Sequence, residues 1–372
     1  MLTLKRILTP VDLLAASGQA LREAYALAER FEATLYVLNV TVPDPTIEPG
    51  TWTEALRVWI QKTLALPLPE NKDGPCIKPV TIQGAMVGPT ILRYAAQSEM
   101  DLIVMGTHQR EGVERTLPGS IAEEVVRHAP CPVLTFQRPI LTERLPFAPR
   151  RILVPTDFSD CSQHALMHAK ELAASFGARL SLLHVLQHRT LLHAHQNPRL
   201  RNVLEDSMRP SFLEKHLHTL FEEVPGPEVP VDYHVVTGTA GQRISAFART
   251  REMDLIVMSS HGLTGVRYFL MGSVTQQVVR LAPCPVFAVQ AFKHSLVQAT
   301  PSTFKQPLVT SFTSMLHEQL LNALASDQEG SSPEGVLPPF PSAITERSAM
   351  GSRRSDPPGT RPNVPSSSDS RP

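Results

Sequence analysis

Asp101-Leu-Ile-Val-Met-Gly-Thr-His108 is the most informative stretch of the chain, because it recurs almost unchanged as Asp254-Leu-Ile-Val-Met-Ser-Ser-His261. Two further pairs keep the same offset of 153 residues: Gly119-Ser120 with Gly272-Ser273, and Ala129-Pro-Cys-Pro-Val133 with Ala282-Pro-Cys-Pro-Val286. Three matches at one offset indicate a duplicated domain. Each copy has an apolar strand, a loop bearing glycine, and a Gly-Ser pair where a helix is predicted to begin. In a parallel sheet, this arrangement is where phosphate groups bind.

The beginnings of the two copies, called repeat one and repeat two below, are also duplicated. Arg6-Ile-Leu-Thr-Pro-Val-Asp12 matches Arg151-Ile-Leu-Val-Pro-Thr-Asp157 at an offset of 145 residues. In the segments that follow, 20–31 and 165–176, apolar residues recur at spacings of three and four. This spacing predicts a helix that lies with one face on a sheet.

Strands and helices are predicted to alternate along both repeats, with the second strands ending at Val40 and Val185. The further bounds, for repeat one and repeat two in turn, are helices 54–66 and 200–222, strands 80–84 and 233–237, helices 88–98 and 241–250, strands 101–106 and 254–258, and strands 131–136 and 284–289. Such alternation predicts an α/β fold with two tandem doubly wound parallel-sheet domains, each with helices on both faces.

Composition sets the domain boundaries. We expect domain one at 1–138, a linker with three prolines at 139–150, and domain two at 151–292. The remainder, 293–372, is predicted to be mostly disordered. In 327–372, 23 of 46 residues are Pro, Ser or Gly. This segment therefore has too few large apolar side chains to offset the entropy of folding. A short helix is expected near 315–324. The tail is a candidate for binding a protein partner.

Charge and apolar content exclude several classes of function. Lys+Arg and Asp+Glu balance at 35 each, so no overall field favours nucleic acid or an anionic membrane. No apolar run approaches the ~18 residues of a membrane span, and a signal-peptide pattern is missing, so a cytoplasmic protein is expected. Cys131 and Cys284 are expected to be buried and reduced, and no spacing of histidines or cysteines predicts a metal site.

The candidate site lies where parallel strands end at their carboxyl termini, since doubly wound sheets bind ligands there. The residues placed at that edge are Asp12, Val40, Gly106, Gly119 and Ser120 in repeat one, and Asp157, Val185, Ser259, Gly272 and Ser273 in repeat two. An aspartate after the first strand suits a ribose hydroxyl or a base amino group. Amides at a helix start and a serine hydroxyl suit phosphate oxygens.

These motifs resemble those of tandem universal stress proteins over roughly residues 1–292. That family's nucleotide signature is Gly-x2-Gly-x9-Gly-Ser/Thr after the fourth strand, with Pro-x-Asp at the first. Repeat one has Gly106, Gln109, Gly119 and Ser120 at these positions, and repeat two has Ser259, Gly262, Gly272 and Ser273. The resemblance implies an adenine-nucleotide α-hydrolase-like fold and ATP, with Mg²⁺, as the ligand. It also implies that Val185 offers backbone groups to adenine and that Val274 joins the glycines around the phosphates.

The two repeats are not predicted to bind equally. Gln109 puts a side chain where the signature has its middle glycine, and Pro118 removes an amide donor from the loop. Loop 107–118 has no net charge, whereas loop 260–271 carries only Arg267. Repeat two is therefore predicted to be the better nucleotide site.

Three alternatives stay open at this stage. The glycines can serve helix–sheet packing alone, and Asp12 and Asp157 can cap the helices that follow. The chain can also be an interaction module with both sites empty. A slow ATP-hydrolysing switch is the third alternative, although the sequence has no P-loop lysine and no evident base, so a binding or signalling role without catalysis is favoured.

The last strands, 131–136 and 284–289, are predicted to pack together as an intramolecular pseudo-dimer. An exposed edge at either strand would otherwise invite aggregation. Further association into a homodimer is left open by the sequence.

Overall fold

A computed structural model of the chain shows the helices and strands of the two repeats. It describes residues 2–43, 50–65, 74–107, 120–137, 147–186, 209–260, 272–290 and 295–297. Repeat one contains β1 (Arg6–Val11), α1 (Ala15–Phe31), β2 (Thr34–Thr41), α2 (Thr51–Leu64), β3 (Ile77–Gln83), α3 (Val87–Gln97), β4 (Leu102–Gly106), α4 (Ser120–His128) and β5 (Val133–Phe136). Repeat two contains β6 (Arg151–Thr156), α5 (Asp160–Phe176), β7 (Arg179–Leu186), α6 (Pro210–Glu223), β8 (Val231–Thr237), α7 (Ala240–Thr250), β9 (Leu255–Ser259), α8 (Ser273–Leu281) and β10 (Val286–Val289).

The strands form one sheet in the order β3-β2-β1-β4-β5-β10-β9-β6-β7-β8. Pairing is parallel throughout each repeat. In both repeats the first strand lies between the second and the fourth, so strand order reverses there. This reversal creates the crevice at which doubly wound sheets bind ligands, between β1 and β4 and between β6 and β9.

The two halves of the sheet join through their last strands, as the sequence predicted. β5 and β10 pair antiparallel, with Leu134 opposite Phe287 and Thr135 opposite Val286. The Thr135 hydroxyl also donates a hydrogen bond of 3.2 Å to the Val286 carbonyl oxygen. Each repeat thereby covers the strand edge that the other would expose.

The core has two layers because strand residues alternate between the two faces of the sheet. On β4, Leu102 and Val104 face the layer built with α1, α2, α5 and α6, while Ile103 and Met105 face the layer built with α3, α4, α7 and α8. The uninterrupted apolar sequence of β4 and β9 follows from this burial on both faces.

Several element bounds differ from those predicted. β5 and β10 begin at residues 133 and 286, two residues later than expected, because Pro132 and Pro285 have no N–H to give to the ladder. β3 begins earlier, at Ile77, and includes Pro79, which an edge strand tolerates. The helix predicted at 200–222 is described as α6 from Pro210, and 200–208 lies outside the described residues, as does most of the linker and the tail.

Two further expectations concern side chains and membranes. Cys131 and Cys284 are buried free thiols, as predicted. Within the described ranges, no helix combines the length and apolar character needed to cross a membrane.

Candidate functional site

Asp12 and Asp157 lie directly beyond β1 and β6 and organise the turns into the next helices. Asp157 Oδ1 accepts hydrogen bonds from the Ser159 amide, at 3.1 Å, and from the Ser159 hydroxyl. Asp12 Oδ1 accepts from the Leu14 amide at 3.0 Å and from the Ser17 hydroxyl at 2.7 Å. The capping residues themselves are Leu14 and Ser159, so each aspartate supports its helix start from two residues before the cap.

The residue after each aspartate has an unusual backbone conformation. Leu13 and Phe158 both have φ of 63°, in the left-handed region that costs an L-residue about 1–2 kcal/mol. In repeat two, the Phe158 amide donates to the Thr156 hydroxyl oxygen at 3.0 Å, which helps to hold this conformation. Strained turns of this kind concentrate at functional sites, because the strain presents a side chain that a relaxed turn would not.

Val40 and Val185 lie one residue beyond the pairing of the first two strands in their repeats. The β1–β2 ladder ends at Val11 opposite Asn39, and the β6–β7 ladder ends at Thr156 opposite His184. Both valines remain paired with the outer strand, Val40 with Ile82 and Val185 with Val236. Their inner backbone groups therefore lie outside the ladder and at the crevice, where a base could pair with them.

Asn39 and His184 occupy the same position in the two repeats and close the ends of the first strands. Asn39 Nδ2 donates to the Val11 carbonyl oxygen at 3.0 Å, and His184 Nδ1 is 2.9 Å from the Thr156 carbonyl oxygen. Burial lowers the pKa of His184. Sequence reasoning did not place this histidine at the site, whereas the structure shows it at the end of β6.

The start of α8 is the part of the site suited to phosphate. Gly272 donates its amide to the Ser260 carbonyl oxygen at 3.0 Å, and the Thr275 hydroxyl donates to the Ser259 carbonyl oxygen at 2.8 Å. The first intrahelical bond runs from the Gln276 amide to Gly272 at 3.1 Å, and Gly272 supplies no side-chain cap. Helix geometry therefore leaves the amides of 273–275 without intrahelical acceptors, the arrangement that binds anions.

The predicted site residues fall into two groups, one at each crevice. The structure brings Asp157, Val185, Ser259, Gly272, Ser273 and Val274 to the carboxyl edge of repeat two, and Asp12, Val40, Gly106 and Ser120 to that of repeat one. Gly119 and Gly262 lie outside the described residues, as do His108 and His261 at the ends of the repeated motif.

The surroundings of the two crevices differ in polarity. Beside the repeat-one crevice, Leu14 is 48% exposed and Met86 is 66% exposed. The equivalent positions in repeat two are polar: Ser159, which is buried, immediately precedes α5, and Thr239, which is exposed, immediately precedes α7. The edge of repeat two is thus the more polar, which suits a nucleotide better.

A cavity of about 700 Å³ lies at the opposite edge of repeat two, where β6, β7 and β8 begin. Two of its three guanidinium groups form ion pairs, Arg179 with Asp232 at 3.1 Å and Arg151 with Glu252 at 3.2 Å, while that of Arg251 lies over the Phe247 ring. It shares no residue with the candidate site. No group of three His, Cys, Asp or Glu side chains arranged for a metal ion occurs in the part of the chain that the structure describes.

Comparison with known proteins agrees with this architecture. A universal stress protein of Methanocaldococcus jannaschii is 32% identical over 142 residues, covering 36% of this chain and 83% of that protein. Universal stress protein A homolog 1 of Coxiella burnetii is 30% identical over 145 residues, covering 38% of this chain and 95% of that protein. The crystal structure of a universal stress protein from Archaeoglobus fulgidus has the same fold at 21% identity, with a TM-score of 0.52, covering 77% of this chain and 98% of that one.

The family model described as the universal stress protein family matches twice, over residues 3–137 and 149–290. These two matches coincide with the two halves of the sheet and with the duplicated motifs. The chain therefore belongs to the universal stress protein family, with two family domains in tandem.

Proposed function

We propose that this tandem universal stress protein binds an adenine nucleotide, ATP with its Mg²⁺, at the crevice of repeat two, and that it acts as a stress-response or signalling module by binding rather than by turnover. The observation that carries the proposal is the placement of Asp157 and the start of α8. β6 and β9 are neighbouring strands, so the aspartate after β6 and the helix that follows β9 share one crevice. A carboxylate and a helix start on two sides of one crevice match the ribose and the phosphates of a nucleotide.

Each group at the crevice has a role in this proposal. Asp157 accepts a hydrogen bond from the ribose or the base, and the backbone at Val185 pairs with adenine. Gly262, Gly272, Ser273 and Val274 surround the phosphates, where the first-turn amides of α8 and the exposed Ser273 hydroxyl donate hydrogen bonds. The repeat-one residues Asp12, Val40, Gly106, Gly119 and Ser120 form the weaker of the two sites.

Titration calorimetry of ATP into the full chain tests the proposal, with Gly272→Val and Gly119→Val as the decisive variants. Gly272 has φ of −57° and ψ of 133°, which valine also adopts, so the variant is expected to fold. Its side chain should block the approach of phosphate to the backbone and abolish binding. Gly119→Val should change the affinity little.

Two results would overturn the proposal in different ways. If Gly119→Val removes binding and Gly272→Val does not, repeat one is the better site. If the wild-type chain binds no adenine nucleotide, and mass spectrometry of the purified protein finds none, the protein is an interaction module. Single-turnover hydrolysis of bound ATP separates a binding protein from a slow ATPase.

A further inference from the structure

Gln137 and Gln290 occupy the same position in the two repeats, directly after the last strand of each. Gln290 Nε2 donates a hydrogen bond of 2.6 Å to the Val126 carbonyl oxygen, in the last turn of α4. Gln137 Nε2 donates to the Val279 carbonyl oxygen, in the last turn of α8. Carbonyl groups in a last helical turn have no partner within the helix. Each repeat therefore caps the helix that begins at the other repeat's candidate site.

The two glutamines differ in one contact, and this contact involves the proposed nucleotide site. Gln290 Oε1 accepts a hydrogen bond of 2.7 Å from the Ser260 hydroxyl, and Ser260 is fully buried. The Ser260 carbonyl oxygen in turn accepts from the Gly272 amide, so Ser260 and Gly272 close the base of the loop between β9 and α8. In repeat one the equivalent Thr107 hydroxyl donates to the Phe136 carbonyl oxygen, at 3.3 Å. A chain of hydrogen bonds thus runs from the base of the repeat-two loop, through Gln290, to α4 of repeat one.

A second contact ties the same two helices together. Glu123 of α4 and Gln276 of α8 are equivalent residues, and Gln276 Nε2 donates to Glu123 Oε2 at 3.0 Å. Arg280 Nε donates to Glu123 Oε1 at 2.8 Å, with Glu123 largely buried. α8 therefore has its position fixed by side chains of repeat one as well as by packing on its own sheet.

We propose that Gln290 is a positioning residue for the nucleotide site of repeat two, and that repeat one regulates this site through the Ser260–Gln290–Val126 hydrogen bonds, which we call the relay. The inference rests on the proposed function. A loop base held in place before the ligand arrives loses less conformational entropy on binding, so the relay raises affinity without touching the nucleotide. The same connection carries the effect of binding to α4, since coupling between two places in a molecule is reciprocal.

Calorimetry with ATP on the full chain tests the relay with Gln290→Met and its matched control, Gln137→Met. Both variants replace the amide by an apolar side chain of similar length, at a buried position for Gln290 and a partly buried one for Gln137, and both leave one helix carbonyl uncapped. Only Gln290→Met removes the bond to Ser260, so it should weaken ATP binding about tenfold, which corresponds to the free energy of one buried hydrogen bond. The affinity of Gln137→Met for ATP should stay within about twofold of the wild-type value.

Two readouts separate positioning from a general loss of stability. Ser260→Ala should weaken binding to a similar degree, and the Ser260→Ala/Gln290→Met double variant should be no worse than either single variant, because both break the same relay. Amide hydrogen exchange should show that ATP protects residues 123–128 in the wild type and in Gln137→Met, and that Gln290→Met abolishes this protection.

The outcomes distinguish this inference from the function on which it rests. A wild-type chain that binds no ATP removes the proposed function in the first titration, before any relay variant is compared. A wild-type chain that binds ATP, with Gln290→Met binding equally well or Gln137→Met losing as much affinity, keeps the nucleotide site and refutes the relay.

Discussion

Glu23 and His168 stand at the same position in α1 and α5, and each accepts a hydrogen bond from a backbone amide that follows the last strand of its own repeat. Glu23 Oε2 accepts from Phe147 at 2.8 Å, and His168 Nε2 accepts from Leu296 at 3.3 Å. His168 Nδ1 lies 2.7 Å from the His164 carbonyl oxygen. Since a carbonyl only accepts, Nδ1 carries the proton and Nε2 is the acceptor, so the imidazole is neutral.

Replacing His168 with glutamine should reduce the dependence of stability on pH. Burial lowers the pKa of His168 to about 4, from 6.5. Between these two pKa values the unfolded chain binds more protons than the folded one. The stability that the neutral His168 contributes is therefore complete above pH 6.5 and is lost as the pH falls towards 4. From pH 7 to pH 5 the wild type should lose about 2 kcal/mol more than His168→Gln in urea unfolding. A constant difference between the two proteins across this range would show that the histidine does not titrate on unfolding.

Glu23 provides the control of opposite sign. Burial raises the pKa of Glu23, although the Phe147 amide opposes the shift. Its contribution is therefore present below pH 4.5 and is lost as the pH rises through the higher folded value. Glu23→Gln should gain stability relative to the wild type as the pH rises from 4 to 7, the reverse of the trend expected for His168.

The sequence predicted the alternation of elements and the joining of the last strands, because both depend on local apolar patterns repeated at fixed offsets. It did not predict that Leu13 and Phe158 take a positive φ, since bulky residues have no local preference for that conformation. The contacts that Gln137 and Gln290 make with the opposite repeat could not be predicted from the sequence either. They depend on which helix end lies beside each strand, and this is set by the order of the strands in the sheet.

The structure specifies what two of the motif residues contribute. Gly272 has an ordinary φ, so its small size, rather than a special backbone conformation, is what the proposed site uses. Asp157 makes the local hydrogen bonds expected of a helix-start residue as well as lying at the crevice. Sequence alone separates a structural from a ligand-binding aspartate poorly, because one side chain can do both.

Glu32→Gly should stabilise the protein, because repeat two already has glycine at this position. Glu32 and Gly177 end α1 and α5 with φ of 53° and 64°. Glycine adopts this left-handed conformation without the steric cost of a side chain, so we expect a gain of about 1 kcal/mol. Gly177→Ala should cost about as much, since a Cβ there meets nothing within 4 Å and only the backbone conformation is penalised. Thermal unfolding of both variants decides the point, and a loss of stability in Glu32→Gly would contradict it.

Lys170→Met should destabilise repeat two strongly, although it replaces a charge by an apolar side chain of similar length. Lys170 is buried, and its ammonium donates 2.8 Å bonds to the carbonyl oxygens of Phe221 and Val224 at the end of α6. Burial lowers its pKa. Methionine would leave both carbonyls without a donor, at about 2–4 kcal/mol. Lys78→Met, which removes an exposed ammonium 5.2 Å from the Tyr36 ring, should change stability by less than about 1 kcal/mol in the same denaturation assay.

Thiol labelling of the folded chain should separate the four cysteines by burial and charge. Cys76 is exposed and should react first with a thiolate-specific reagent at pH 8. Burial, with Asp157 next, raises the pKa of Cys161 to about 11, and burial raises that of Cys284 to about 12, so both should react slowly. Mass mapping of the labelled peptides gives the order. Early labelling of Cys131 or Cys284 would show that the centre of the sheet opens in the native protein.

Asp101→Ala should cost more stability than Asp254→Ala, although the two residues make the same contacts in the two repeats. Asp101 Oδ2 accepts from the amides of Lys5 and Arg6, both at 2.8 Å. Asp254 Oδ2 accepts from Arg150 at 3.0 Å and from Arg151 at 2.9 Å. Asp101 is buried and Asp254 only partly so, and water can replace a lost acceptor only where it can reach the amides.

We therefore expect a loss of about 2–4 kcal/mol for Asp101→Ala and about 1–2 kcal/mol for Asp254→Ala. Asparagine at either position keeps one acceptor oxygen and should recover part of the loss, which separates the hydrogen bonds from the charge. Hydrogen exchange of the amides at residues 5 and 6, compared with 150 and 151, locates the effect in each repeat. Equal losses for the two alanine variants would show that solvent access does not govern how firmly the aspartates hold β1 and β6.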